Sequence, residues 1–255
     1  MTPPIASRGT PGSSGSLASR ITGTPWAATK DDRGRFEDWL AALPGSVNAE
    51  LGRLFASHPA AHAIVSGLPH FSPYLWDLAS GDTGRLLSIL QSDPDAHLTS
   101  LVTDVTAQAD RVTSESEMMR ALRAVKAQAA LLIALADIGK VWPVMRVTAA
   151  LTELADTAVR AAVRFLMNDL VRRGKLNPAD KAQPEIGSGY FVLAMGKMGA
   201  FELNYSSDID LIVLFDPERT ALPPGTEAAA AHVRLTRGLV KLLQERTTDG
   251  YVFRV

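Results

Sequence analysis

The sequence predicts an α+β protein, with a mainly helical region followed by a short sheet that stops at its third strand. Between residues 31 and 175, apolar residues recur at intervals of three and four, which is the period of a buried helix face. After residue 186 the pattern changes to short apolar runs bounded by turn residues, which is typical of strands. We therefore divide the chain into a disordered leader (1–30), a helical region (31–175) and a second, incomplete unit (186–255) that contains the sheet.

The composition excludes several classes of protein. The 255 residues include no cysteine, so disulfide scaffolds, thiolate nucleophiles and cysteine-ligated zinc sites are ruled out. The absence of cysteine agrees with a reducing compartment, and we expect a cytoplasmic location. The formal net charge of -1 gives no overall field that attracts nucleic acid or an anionic membrane, so we expect neither as a partner. The longest uncharged apolar stretch, 127–136, falls far short of the roughly 20 residues that cross a bilayer as a helix.

The leader is expected to be disordered because of its composition. Its first 24 residues are dominated by proline, glycine, serine and threonine. They carry too little apolar surface to offset the conformational entropy lost on ordering.

The helical region is predicted to begin with short helices and end with two long ones. A helix around Phe36 should end at Pro44, a second should hold Leu51, and short helices and turns should fill 58–92. Ser114 and Glu117 have the spacing of a capping box, so a long helix should start there and run to Gly139. Pro143 suits the first turn of the next helix, which should end at 172–174, and the two helices should pack antiparallel.

The second unit is predicted to contain three strands and a helix. The apolar runs 190–194 and 209–215 have the length of buried strands. Leucines at helical spacing from 235 to 243 predict a helix after the second strand. Residues 251–255 are predicted to form a third strand. The chain stops inside that last strand, which is typical of a fragment of a longer protein.

The residues most informative about chemistry lie between the first two predicted strands. Asp208 and Asp210, one residue apart at the start of a strand, should point to the same face and can share a cation. Mg²⁺ prefers carboxylate and phosphate oxygens, so this pair suits a metal held between protein and nucleotide. The turn at Gly196 lets a phosphate approach backbone amides, and Ser206 or Ser207 can add a hydroxyl donor. The simpler alternative is that both carboxylates lie on the solvated face of an edge strand.

The pattern Gly196-x11-Asp208-x-Asp210 resembles the signature of the nucleotidyltransferase superfamily related to DNA polymerase beta. More narrowly, the segments 195–199 and 202–211 are similar to the amino-terminal part of the bacterial glutamine synthetase adenylyltransferases, a family of bifunctional adenylylating and deadenylylating enzymes. Residues 72–76, 122–126 and 137–138 also resemble this family, so the likeness spans roughly Pro69 to Val255. It implies that the sheet is a truncated polymerase-beta-like nucleotidyltransferase sheet.

The resemblance implies an activity, cofactors and partners. The amino-terminal copy of the family's two domains removes AMP from a glutamine synthetase tyrosine by phosphorolysis, which releases ADP and regulates nitrogen assimilation. The same long chain also adenylylates glutamine synthetase from ATP, and the nitrogen-regulatory PII protein is a further implied partner. Asp208 and Asp210 would then be the catalytic Mg²⁺ ligands, and Gly196, Lys197, Ser206 and Ser207 would bind nucleotide and phosphate.

The resemblance also implies that one group is missing. In the family a third carboxylate directly follows the strand that residues 250–255 resemble, and this chain ends before it. We therefore expect the fragment alone to be catalytically impaired. Two other functions stay open: a noncatalytic module that docks glutamine synthetase or PII, and a different nucleotidyltransferase acting on a small molecule or RNA.

Overall fold

The computed structural model describes residues 15–23 and 30–255, and most of them are helical. The amino-terminal helices are α1 Leu17–Arg20, α2 Lys30–Ala42, α3 Gly45–Ser57, α4 Pro59–Phe71, α5 Pro73–Ser80 and α6 Thr83–Gln91. The longer helices are α7 Pro94–Arg111, α8 Glu115–Ile138 and α9 Val144–Arg172. The remaining elements are β1 Tyr190–Ala194, α10 Gly196–Gly199, β2 Leu211–Phe215 and α11 Ala228–Gln244. The α+β class predicted from the sequence is confirmed.

The helical core is built on α7, α8 and α9, which all contact one another. The predicted capping box at the start of α8 is present: Ser114 accepts a hydrogen bond from the Glu117 amide, and the Glu117 carboxylate accepts one from the Ser114 amide. Gly174, just beyond α9, has the left-handed conformation (φ 66°) that a glycine helix end provides. The start of α8 and the end of α9 therefore lie where local sequence chemistry predicts, whereas Pro143 is the N-cap of α9 and not a residue of its first turn.

The structure differs from the predicted disordered leader at residues 15–23. Leu17, Ala18 and Ile21 are buried, and the Leu17 amide donates to the Ser92 carbonyl oxygen at 2.7 Å. The Arg20 guanidinium pairs with the Asp93 carboxylate at 3.0 Å. These contacts are all with residues distant in sequence, so local composition could not reveal them. Residues 1–14 and 24–29 of the predicted leader lie outside the described residues.

Arg123, near the start of α8, is buried and joins this helix to the carboxy-terminal part of the chain. Its guanidinium donates hydrogen bonds to four backbone carbonyl oxygens, those of Met119, Leu242, Glu245 and Gly250. The carbonyls of Leu242 and Glu245 lie at the end of α11, where a helix leaves carbonyl oxygens unpaired and favours positive charge. Arg123 therefore caps α11 and fixes the turn that follows it.

The sheet consists of β1 and β2, paired antiparallel from Tyr190 opposite Phe215 to Ala194 opposite Leu211. Its inner face packs on α11: the Tyr190 hydroxyl lies 3.0 Å from the Thr236 hydroxyl, and the Phe215 ring stacks on the His232 ring at 4.6 Å. Its outer face exposes a patch of apolar side chains: Phe191, Leu193, Ile212 and Leu214.

Two of the predicted strand assignments are corrected by the structure. The second strand begins at Leu211 rather than at residue 209. Residues 251–255 do not form a strand, because the Val252 and Phe253 amides donate to the Leu243 carbonyl oxygen at the end of α11. A single backbone hydrogen bond, from the Ile209 amide to the Arg254 carbonyl oxygen at 3.0 Å, joins this segment to the chain before β2.

Across the described parts of the chain, we find no helix that combines the length and apolarity needed to cross a membrane.

Packing of the amino-terminal segment predicts the effect of Gly139→Ala. A Cβ atom at Gly139 would lie 2.7 Å from Ile21 Cγ1 and 2.8 Å from the Leu135 carbonyl oxygen. We expect the substitution to lower the free energy of unfolding by about 1–3 kcal/mol through overpacking, measured by urea denaturation.

Gly52→Ala is the matched control, because Gly52 lies inside α3 and a Cβ atom there meets nothing within 4 Å. It should raise the free energy of unfolding by about 0.5–1 kcal/mol through backbone entropy. Equal effects of the two substitutions would contradict the packing of Ile21 on the end of α8.

Candidate functional site

The loop from Met195 to Asp210 is folded back on itself at the end of the sheet. The Met195 amide donates to the Asp210 carbonyl oxygen at 2.8 Å, which continues the β1–β2 ladder by one step. Gly196 then takes a positive φ of 54°, which favours glycine. A Cβ atom at Gly196 would lie 2.9 Å from Asp210 Oδ2, so the carboxylate rests against bare backbone. Gly196 is therefore required twice, by its conformation and by the position of Asp210.

Asp208 and Asp210 lie on one side of the extended segment that precedes β2. Both are exposed, whereas Ile209 between them is only 1% exposed and packs into the core. This alternation fixes both carboxylates toward solvent, as the predicted period of two requires.

A single open pocket of about 590 Å³ brings together every site residue predicted from the sequence. Its lining consists of Gly196, Lys197, Asn204, Ser206, Ser207, Asp208 and Asp210. The one-turn helix α10 supplies Gly196 and Lys197, and the turn at 204–207 supplies the serines and Asn204. Asn204 is a lining residue to which the sequence pattern assigns no role, although it lies within the segment that carries the family resemblance.

Arg254 is a site residue that the sequence did not identify. Its Nε atom lies 2.5 Å from Asp208 Oδ1, and its Nη2 atom donates to the Ser206 carbonyl oxygen at 3.1 Å. Both partners of this ion pair are more than half exposed, so the pair is weak and accessible to competing ions. Residue 254 lies in the predicted third strand, and only the folding back of this segment brings its side chain to Asp208.

The donor atoms of this pocket suit a hard cation. Its carboxylate, hydroxyl and amide groups are oxygen donors of the kind that Mg²⁺ takes, and Mg²⁺ is commonly held by one or two carboxylates together with substrate phosphates. Within the described ranges, no group of three or more histidine, cysteine, aspartate and glutamate side chains is placed to hold a metal ion. The carboxylates that line this pocket are those of Asp208 and Asp210.

A second cavity of about 620 Å³ adjoins the first, and Ser206 and Ser207 line both. Beside these serines, the Tyr205 hydroxyl donates to Asp137 Oδ2 at 2.8 Å, which ties the 204–207 turn to the end of α8. Burial and the Asp137 carboxylate both raise the pKa of Tyr205, so its phenol stays protonated and remains the donor.

Comparison with protein families identifies a match over most of the chain. Residues 68–255 match the model of the family described as glutamate-ammonia ligase adenylyltransferase.

Individual relatives agree with the family match. A bifunctional glutamine synthetase adenylyltransferase/adenylyl-removing enzyme of Bradyrhizobium diazoefficiens is 51% identical over 241 residues, covering 94% of this chain and 24% of that protein. The enzyme of the same name from Xanthobacter autotrophicus is 51% identical over 214 residues, covering 84% of this chain and 22% of that protein. The enzyme of the same name from Rhodopseudomonas palustris (strain BisB5) is 45% identical over 240 residues, covering 94% of this chain and 24% of that protein. The chain thus spans about a quarter of the length of these relatives.

The contact between Gly196 and Asp210 predicts the effect of Gly196→Ala. The new methyl group should push the Asp210 carboxylate aside and lower the free energy of unfolding by about 1 kcal/mol, because alanine disfavours positive φ. The carboxyl ¹³C chemical shift of Asp210, measured by NMR, should change while that of Asp156 on α9 stays constant.

Gly225→Ala separates backbone strain from displacement of the carboxylate. Gly225 also has positive φ (80°), but a Cβ atom there meets nothing within 4 Å. Gly225→Ala should lower the free energy of unfolding by a similar amount and leave the carboxyl ¹³C chemical shift of Asp210 unchanged. An unchanged Asp210 signal in Gly196→Ala would show that the carboxylate does not rest on Gly196.

Proposed function

The chain belongs to the glutamate-ammonia ligase adenylyltransferase family, and we propose that it is part of an enzyme that removes AMP from an adenylylated tyrosine of glutamine synthetase. In this reaction a phosphate oxygen attacks the adenylyl phosphorus, the bond from phosphorus to the tyrosine oxygen breaks, and ADP leaves. The tyrosine oxygen takes up a proton. The observation that carries the proposal is the convergence of Asp208, Asp210 and Gly196 with two serine hydroxyls in one open pocket.

The residues of this pocket have separate roles in the proposed reaction. Asp208 and Asp210 would hold Mg²⁺, which when bound would neutralise charge on the phosphorus-bound oxygens of the adenylyl group. Gly196, without a side chain, lets a phosphate approach the backbone beside Asp210. The hydroxyls of Ser206 and Ser207 and the ammonium group of Lys197 face the same space and can donate to phosphate oxygens.

Arg254 competes with the cation for Asp208 in this proposal. Its guanidinium occupies Asp208 Oδ1, so this ion pair has to open when a metal binds there. Because the pair is exposed, opening it costs only about 0.2–1 kcal/mol. While the ion pair is formed, the Arg254 guanidinium offsets the negative charge of Asp208 next to Asp210.

The proposal extends to partners and to the rest of the molecule. In this proposal glutamine synthetase is the substrate and the PII protein is a regulator. We expect the reaction to take place in the cytoplasm. The adenylylating activity, which uses ATP, is proposed for the longer chain that the relatives represent. The result is a regulator of nitrogen assimilation with opposed activities in one polypeptide.

The carboxylates are tested by Asp208→Asn and Asp210→Asn. Each should lower phosphate-dependent ADP release from adenylylated glutamine synthetase by at least about 100-fold, equivalent to about 2.7 kcal/mol, because a neutral amide binds Mg²⁺ much more weakly than a carboxylate does. The assay uses the 255-residue chain and a chain extended past Val255, since the relatives are longer. Asp156→Asn is the control, because Asp156 pairs with Arg160 on α9 and does not line the pocket.

The same assay separates the proposal from a noncatalytic docking module. Full activity in both variants would contradict the role of the carboxylates. No activity in any chain, with binding of glutamine synthetase retained, would favour the docking module instead.

Competition at Asp208 predicts the effect of Arg254→Gln. Removing the guanidinium should raise the affinity for Mn²⁺, used as a paramagnetic substitute for Mg²⁺, by about two- to fivefold. Arg219→Gln, which removes a similarly exposed pair with Asp216, should leave the affinity unchanged. A loss of affinity in Arg254→Gln would show that Arg254 supports the cation site instead of competing for it.

A further inference from the structure

The larger cavity described above lies between the helical region and the last segment of the chain. One wall is α8, with Lys126, Ala127 and Ala130, and another is formed by residues 249–254. Tyr74 on α5 and the 205–207 turn complete it. Its volume of about 620 Å³ is within the range of pockets that bind small molecules, roughly 300–1,000 Å³.

Lys126 is a cation of this wall that, among the described residues, has neither an ion pair nor a hydrogen-bond acceptor. Its Nζ atom lies 4.2 Å from the centre of the Phe253 ring. Throughout the described part of the chain, its ammonium group has no hydrogen-bond acceptor or carboxylate partner. Burial lowers the pKa of Lys126 to about 8, because protein replaces water around the charge and no carboxylate compensates. The ring of Phe253 alone leaves most of the ammonium group's hydrogen-bonding capacity unused.

The other charged groups of the cavity give it an excess of positive charge. Its charged lining consists of Arg123, Lys126, Arg246 and Arg254 against Asp137 and Asp249. Asp137 is already occupied by the Tyr205 hydroxyl. With Asp208, the partner of Arg254, counted as well, four cations face three carboxylates, so the wall keeps a net positive charge, which favours an anion.

The aromatic side chains that line the cavity favour a ligand with a planar group. Tyr74, Tyr251 and Phe253 line the cavity, and the Arg246 guanidinium lies 6.0 Å from the centre of the Tyr251 ring. The exposed tyrosine rings provide flat apolar surfaces on which a planar group can stack. A ligand that carries both a planar ring system and a phosphate satisfies the rings and Lys126 together.

We propose that this cavity is a nucleotide subsite, in which Lys126 binds the phosphates and the tyrosine rings hold the base of an adenine nucleotide. The shared lining by Ser206 and Ser207 places it directly beside the Asp208–Asp210 pocket. The choice of adenine rests on the proposed function, whereas the anionic and planar character of the ligand rests on the cavity.

Binding of ADP to the 255-residue chain, measured by isothermal titration calorimetry in EDTA, tests this subsite. Lys126→Gln should weaken ADP binding at least about tenfold, since a charge-assisted contact is lost, and Lys126→Arg should retain most of it. Lys175→Gln, an exposed lysine outside the cavity, should bind as the unsubstituted chain does. Adenosine and inorganic phosphate should each bind more weakly than ADP, because each satisfies only half of the site.

A second pair of variants keeps the test independent of Lys126. Ala127→Leu adds volume from the cavity wall of α8, whereas Ala124→Leu adds the same group on the exposed side of that helix. ADP binding should be lost in the first and unchanged in the second, with both chains folded by circular dichroism. Unchanged ADP binding in Lys126→Gln or in Ala127→Leu would overturn the subsite. Phosphate binding as tightly as ADP would overturn its assignment to a nucleotide.

The variant Asp210→Asn distinguishes this inference from the proposed function. In EDTA it should bind ADP as tightly as the unsubstituted chain, because Asp210 does not line the cavity and, unlike Asp208, is not paired with its lining residue Arg254. Loss of ADP binding in this variant alone would place the nucleotide in the carboxylate pocket and overturn the subsite. Conversely, Lys126-dependent binding without any phosphorolysis would support the subsite and count against the proposed activity.

Discussion

The arrangement of both pockets depends on the buried guanidinium of Arg123. Burial lowers the pKa of Arg123, yet the group keeps its charge because an arginine titrates far above neutral pH. Burying such a charge is costly unless it is hydrogen-bonded, and here the carbonyl oxygens of four residues on three parts of the chain accept from it. The interaction is specific in geometry because a guanidinium donates in fixed directions. It sets where α11 ends and where the segment after Gly250 begins.

A short series of backbone hydrogen bonds and one side-chain ion pair connects the region around Arg123 to the carboxylates. The Val252 and Phe253 amides donate to the Leu243 carbonyl oxygen, which places the Phe253 ring beside Lys126. The next residue, Arg254, accepts from the Ile209 amide and pairs with Asp208. One segment therefore forms a wall of the proposed nucleotide subsite and pairs with a carboxylate of the proposed cation site. A displacement of this segment is expected to affect both pockets together.

The sequence predicted those features that depend on local periodicity or local chemistry. The capping box of α8 and the alternation of Asp208, Ile209 and Asp210 are set by neighbours in the chain, and the structure has both. The sequence did not predict helix α1, because its burial depends on contacts with α6 and with Gly139, which are far away in sequence. The predicted third strand was wrong because an apolar run does not reveal that its amides bond to the end of a helix.

The candidate site divides in the same way between local and distant contributions. The motif around Gly196 and Asp210 could be identified from spacing and resemblance, since its residues lie within one loop. Arg254 and the cavity around Lys126 require the packing of α5, α8 and the last segment, which no spacing encodes. In the sequence, Lys126 is notable only because it lies in the segment 122–126, which resembles the family. Its lack of a counter-charge is a property of the folded chain.

The exposed outer face of the sheet has a consequence for the order in which the molecule gains structure. An isolated two-stranded hairpin is marginally stable in water, and here only the inner side chains, such as Tyr190 and Phe215, are held by α11. The hairpin can therefore persist only after α11 has docked on α8 and α9. The carboxylates beside β2 belong to this late-forming unit, so local opening disrupts their arrangement before the helical core is disturbed. Amide hydrogens of β1 and β2 should accordingly exchange with solvent sooner than those in the middle of α8.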